Sequence, residues 1–170
     1  MTKSHALWLV PLLLTVHNTE EALWMHRVLP LAPERIPAPM RSLLPTVTLP
    51  QFLLVLGLVT VLPYCVARWG DLERERGPAT YALLTLQVTM ALNVLSHVGT
   101  AVTLGGYAPG LVTALLVNVP FSAYLFRRAA RARWVRPRDW VGMVAVALVL
   151  HGPVLLGLMA LAGRVTRASN

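Results

Sequence analysis

The sequence predicts an all-α fold: an integral membrane bundle of five transmembrane helices, in one domain over residues 1–170. Three observations predict it. Hydrophobic residues make up 56% of the chain and charged residues only 13%, where a soluble domain carries about 25% charge. The mean hydropathy is +0.61. The basic residues lie mostly between the apolar runs. This balance excludes an ordinary water-soluble fold and a disordered chain. A net charge of +8 would suggest nucleic acid if the arginines shared a folded face. Placed between apolar runs they meet anionic headgroups, so membrane lipids and no nucleic acid are the expected partners.

Crossing roughly 30 Å of hydrocarbon takes about 20 helical residues. The first apolar run, about 6–26, starts as a signal peptide does but leads into His17-Asn18-Thr19-Glu20-Glu21 without a small-residue cleavage site, so it reads as a span. Pro30, Pro33, Pro37, Pro39 and Pro45 make the following loop non-helical. The second run is 49–69, with no Asp, Glu, Lys, Arg or His before Arg68, and is expected to be scaffold. As the only cysteine, Cys65 forms no internal disulfide. The third run, 78–104, ends at Gly105-Gly106, and Pro109 opens the fourth, 109–126, which makes a tight antiparallel hairpin. The fifth run is 139–162.

Arginine placement gives the orientation. Lys3, Arg68, Arg74, Arg76 and the six arginines from Arg127 to Arg138 share one side of a five-span topology, against five basic residues on the other. The expected location is the cytoplasmic membrane, with the N-terminus cytoplasmic and the C-terminus outside. Five spans do not divide into two equal repeats; a homodimer would supply the symmetry of a carrier.

Function is sought among polar groups inside the spans, because a charge at the bilayer centre costs about 2.5–3.5 kcal/mol on insertion scales. His17, Glu20 and Glu21 stand at i, i+3 and i+4 and project from one side of a helix. Asn93 and His97 are one turn apart on the third span, near Ser96 and Thr100, and His151 lies in the fifth. At about 1.5 Å per residue, His17, Glu21, Asn93, His97 and His151 fall between roughly 17 and 29 Å of depth, one layer from the midplane toward the outer leaflet. A histidine and a carboxylate one turn apart can offer two ligands to one ion.

These segments resemble a known family. His17-Asn18-Thr19-Glu20-Glu21 followed by Trp24 looks like the signature of the HXXEE-motif family of small membrane proteins. Asn93-Val94-Leu95-Ser96-His97 is similar to its second polar motif, and Tyr107-Ala108-Pro109-Gly110-Leu111-Val112-Thr113-Ala114 to its helix-opening Pro-Gly segment. The resemblance spans roughly residues 5 to 160. It implies roles for His17, Glu20, Glu21, Asn93 and His97, and brings no assigned chemistry with it.

The residues therefore point first to a membrane-embedded metalloenzyme acting on a lipophilic substrate. His17, Glu20, Glu21, His97 and His151 are the expected ligands, and Glu20, Glu21 and Asn93 the expected catalytic groups. Oxygen and imidazole donors without thiolates suit a divalent Zn, Fe or Mn ion. A metal-free acid–base isomerase or cyclase of an isoprenoid-like lipid would use the same carboxylates, as would a proton- or cation-coupled carrier. The simpler readings are an interhelical hydrogen bond for His97 and a kink at His151-Gly152-Pro153. The pocket is expected among the first, third and fifth spans.

Overall fold

The computed structural model describes residues 1–30, 47–72 and 77–168. It is all-helical, with five helices and no strand among the described residues. The prolines Pro33, Pro37, Pro39 and Pro45, and the arginines Arg35, Arg41, Arg74 and Arg76, lie outside them.

Helix α1 is Lys3–Trp24, capped by the Thr2 hydroxyl on the His5 N–H and followed by a 3-10 turn, Met25–Arg27. Helix α2 is Leu49–Gly70; the Thr48 N–H donates to Gln51 Oε1 at 2.6 Å and closes its first turn. Helix α3, Pro78–Leu104, begins at a proline and ends where Gly105 turns left-handed at φ 67°. Helix α4, 111–131, runs through Leu111–Thr113, a π turn at Ala114–Asn118 and Val119–Arg131. Helix α5, 139–168, has a second π turn at Leu150–Val154. Pro153 lies in that turn; it brings no N–H to the backbone ladder and disturbs it locally.

Three of these helices, not five, are long and apolar enough to cross a membrane: α2, α3 and α5. The other two fall short for different reasons. The second half of α1 carries His17, Asn18, Glu20 and Glu21. The apolar part of α4 stops at Phe126, before Arg127, Arg128 and Arg131.

α1 lies along α2 and touches α3, α3 packs on α5, and α2 packs on the C-terminal part of α5. The π turn of α4 seats against α3 and α1. The apolar core occupies one end of the bundle, where Ala6, Leu7 and Val10 meet Leu83, Leu84, Leu125, Ala129, Met143 and Ala147. Trp134 belongs to this core and is 7% exposed. At the same end Ser4 and Trp8 donate to the Asp71 carboxylate and tie the start of α1 to the end of α2. Those hydrogen bonds hold the Asp71 carboxyl below the usual carboxylate range.

Leu125 is 0% exposed. Leu125→Ala is expected to cost about 2–5 kcal/mol, the lost transfer energy plus a cavity that rigid neighbours do not refill. Unfolding in a graded detergent titration measures it, and a loss under about 1 kcal/mol would contradict a close-packed end.

Polar contacts hold the rest together. Thr15 and Asn18 on α1 reach Tyr64 and Thr60 on α2, at 2.8 and 2.6 Å. The Gln87 amide donates to Ser122 at 2.8 Å between α3 and α4. Interhelical bonds of this kind average about 0.6 kcal/mol, so they set register more than stability. α2 is thus joined to α1 by hydrogen bonds as well as by packing.

Candidate metal centre

The polar half of α1 faces the middle of α3. His17 and Glu21, one turn apart, project toward Asn93 and His97, one turn apart on α3. His17 Nε2 and His97 Nε2 approach to 3.1 Å, and their rings meet edge to face at 81°. Glu21 Oε1 lies 3.5 Å from His97 Nε2. The donor atoms of His17, Glu21 and His97 all stand within 4.8 Å of one another. His17 is 0% exposed, His97 6% and Glu21 9%.

The far sides of both rings determine which nitrogens carry protons. Thr113 Oγ1 sits 2.8 Å from His17 Nδ1 and sends its own hydrogen to the Gly110 carbonyl. With that hydrogen on the Gly110 carbonyl, Thr113 accepts from His17 Nδ1–H, and His17 Nε2 is the acceptor that faces the Asn93 amide. His97 hydrogen-bonds the Pro109 backbone. Proline has no N–H, so its carbonyl accepts; with Nε2 turned inward, Nδ1 is the donor. The two Nε2 atoms, 3.1 Å apart beside a carboxylate oxygen, are then both acceptors. The Asn93 amide reaches both, at 3.2 and 3.0 Å.

This donor set fits a cation. Ligands about 2.0–2.1 Å from a tetrahedral ion stand roughly 3.3–3.4 Å apart, and the two closest separations here are 3.1 and 3.5 Å. Imidazoles oriented through their second nitrogen are the usual form of histidine ligands.

Glu20, expected as a ligand, points elsewhere. Its Oε2 accepts from the Thr113 N–H at 2.7 Å, and its Oε1 from the Val112 N–H at 3.2 Å and the Tyr107 hydroxyl at 2.5 Å. Burial and the Glu20 carboxylate beside it push the Tyr107 phenol up to about 12, so the hydroxyl stays a donor at any ordinary pH. His151 is also outside the three-donor group; its Nε2 pairs with Ser96 Oγ at 2.8 Å. The third wall of the site is the start of α4 rather than α5.

The comparisons bear on these same residues. The HXXEE-motif family, described as proteins of unknown function with an HXXEE motif, matches residues 8–125. The chain belongs to this family. The matched stretch holds His17, Glu20, Glu21, Asn93, His97, Gly110 and Thr113, and it ends before His151. The uncharacterized protein YrkK of Bacillus subtilis (strain 168) is 28% identical over 149 residues, covering 87% of each chain. No solved structure matches.

Two residues of the family's region had no assigned part in the sequence reading, Gly110 and Thr113. Gly110 has φ +84°, and a Cβ built on it would lie 2.5 Å from His97 Cε1, 2.9 Å from Glu21 Cγ and 3.0 Å from His17 Cε1. Only a glycine lets the backbone close over the donors. Outside this closure lies a cleft of about 560 Å³ lined by Glu20, Trp24, Arg27, Tyr107, Val112 and Thr113. The Arg27 guanidinium stacks on Trp24 at 4.1 Å, and Trp24 meets Tyr107 edge-on at 6.0 Å.

Proposed function

We propose that the protein is a membrane-embedded, metal-dependent enzyme of the HXXEE-motif family, acting on a lipophilic substrate through His17, Glu21 and His97. The observation that carries it is the meeting of two imidazole nitrogens and one carboxylate oxygen in a buried site. The Asn93 amide hydrogen-bonds both nitrogens, but a buried carboxylate needs a positively charged partner. A divalent ion supplies that partner, and Zn, Fe or Mn suits the donors. Three protein ligands leave a position at which such an ion activates water or dioxygen. Asn93 would hold the substrate or the activated oxygen, since its amide already spans both histidines.

The membrane setting is part of the proposal. All five helices are taken to lie in the bilayer, with α1 shielded on its polar side by α2, α3 and α4. Large apolar side chains on the outside support this, among them Val141 at 75%, Leu116 at 72% and Leu148 at 56% exposure. The excess of basic residues on one side of the five-span topology favours an N-terminus in the cytoplasm and a C-terminus outside. A lipophilic substrate would enter laterally, by way of the Trp24–Tyr107 cleft.

The test is metal content. The protein is purified in detergent, loaded separately with Zn²⁺, Fe²⁺ or Mn²⁺, desalted, and measured by mass spectrometry. One tightly held ion per chain is the expected result. Failure to retain any of the three overturns the metalloenzyme reading, and ion flux into proteoliposomes without metal retention would replace it with a carrier.

A further inference from the structure

We propose that the two glutamates of the motif do different work: Glu21 is the donor, and Glu20 is a positioning residue that holds His17 in its tautomer by way of Thr113. The proposal rests on the metal-centre reading only for what the orientation serves.

Helix α4 opens after Gly110, a residue with no side chain to cap it. The first N–H groups of a helix have no intrahelical acceptor and need one from elsewhere. Glu20 provides it from another helix, its two oxygens taking the Val112 and Thr113 N–H groups and the Tyr107 hydroxyl. A carboxylate at a helix N-terminus is also favoured by the helix dipole. The effect is to fix Thr113 from below while its hydroxyl bridges His17 Nδ1 and the Gly110 carbonyl. The chain of contact runs from Glu20 to Thr113 to His17, and its far end is the nitrogen facing His97. Glu20 itself is not among the donors that converge. Partners of this kind typically govern metal affinity by 10–100-fold.

The probe is Co²⁺, whose visible spectrum reports a tetrahedral site and its affinity. Wild type is expected to bind one ion. Thr113→Val and Glu20→Gln should keep that stoichiometry and weaken binding by about 10–100-fold. Thr113→Ser, which keeps the hydroxyl, should restore it, whereas Glu21→Gln should abolish it. A second readout needs no metal: ¹⁵N NMR of histidine in the metal-free protein. His17 should carry its proton on Nδ1 in wild type and Thr113→Ser, and become a mixture of tautomers in Thr113→Val and Glu20→Gln. An unchanged tautomer in both variants overturns the proposal, and so does loss of all Co²⁺ from Glu20→Gln with the tautomer intact, which would make Glu20 a ligand. If wild type takes up no Co²⁺, the metalloenzyme reading fails while the NMR result still decides the role of Glu20.

Discussion

Glu21→Gln is expected to abolish stoichiometric metal binding while leaving the protein at least as stable as before. The two halves of this result come from different physics. Glutamine keeps the volume and shape of the side chain but replaces an anionic oxygen with a neutral amide. A divalent ion then has only two imidazoles, and its charge is no longer offset in a site whose residues are 0 to 9% exposed. The expected fall in affinity exceeds 100-fold, beyond the 10–100-fold range for loss of an orienting partner. Stability should move the other way. A carboxylate in a buried site with one 3.5 Å contact to His97 is poorly compensated, and a neutral amide of the same shape removes the cost of burying that charge. Sites kept for function show this trade against stability. His17→Ala and His97→Ala should also lose the ion, but they leave cavities and should melt lower. Metal analysis and thermal unfolding of the three variants without added metal check this. A Glu21→Gln protein that keeps its ion, or that loses several degrees of melting temperature, would make Glu21 a structural partner of His97.

Helix periodicity carried the sequence reading as far as the face, but not to the partner. The i, i+3, i+4 spacing puts His17, Glu20 and Glu21 on one side of α1. At about 100° per residue, however, His17 and Glu21 differ by only about 40°, whereas Glu20 and Glu21 differ by about 100°. That divergence sends Glu21 to α3 and Glu20 to the start of α4. Asn93 and His97 were legible for the same reason, since one turn keeps them on one line. The helix positions were legible too: α3 occupies the expected 78–104, and Gly105 ends it with a left-handed turn. The span count was less so: five were expected and three helices are long and apolar enough to cross, because α1 carries His17, Asn18, Glu20 and Glu21 and α4 changes from apolar to arginine-rich in mid-course. Residues whose part depends on contact with a distant segment had no periodic signal. Thr113 stands 96 positions from His17 in the chain, and only its place just after a Pro-Gly turn hinted at it. His151 failed for the complementary reason. Its depth matched the layer, but depth does not specify the direction in which a side chain points, and it pairs with Ser96 instead.

Gly110→Ala should damage the site strongly, and two other glycines of the same turn separate its causes. Gly106 has open space where a Cβ would go and an ordinary φ, so Gly106→Ala should be nearly silent. Gly105 also has open space but sits at φ +67°, so Gly105→Ala should cost only the left-handed backbone penalty, roughly 1–2 kcal/mol. Gly110 has both the positive φ, +84°, and three site residues in the way, the nearest at 2.5 Å. Cβ atoms do not approach that closely, so either the His97 ring or the backbone of the turn must move. Overpacking of this kind adds about 1–3 kcal/mol, for an expected total of about 2–5 kcal/mol. The site should suffer more than the fold. If the ring yields, His97 Nε2 swings away from His17; if the turn yields, Thr113 leaves His17 Nδ1. Either movement spoils the donor geometry, so metal affinity should drop by at least 100-fold, beyond the range for loss of an orienting partner, in Gly110→Ala and by little in Gly105→Ala. Melting temperature and metal retention measured on the three variants together decide it. Equal effects at Gly105 and Gly110 would mean that backbone strain alone matters, and that the turn does not close over the donors.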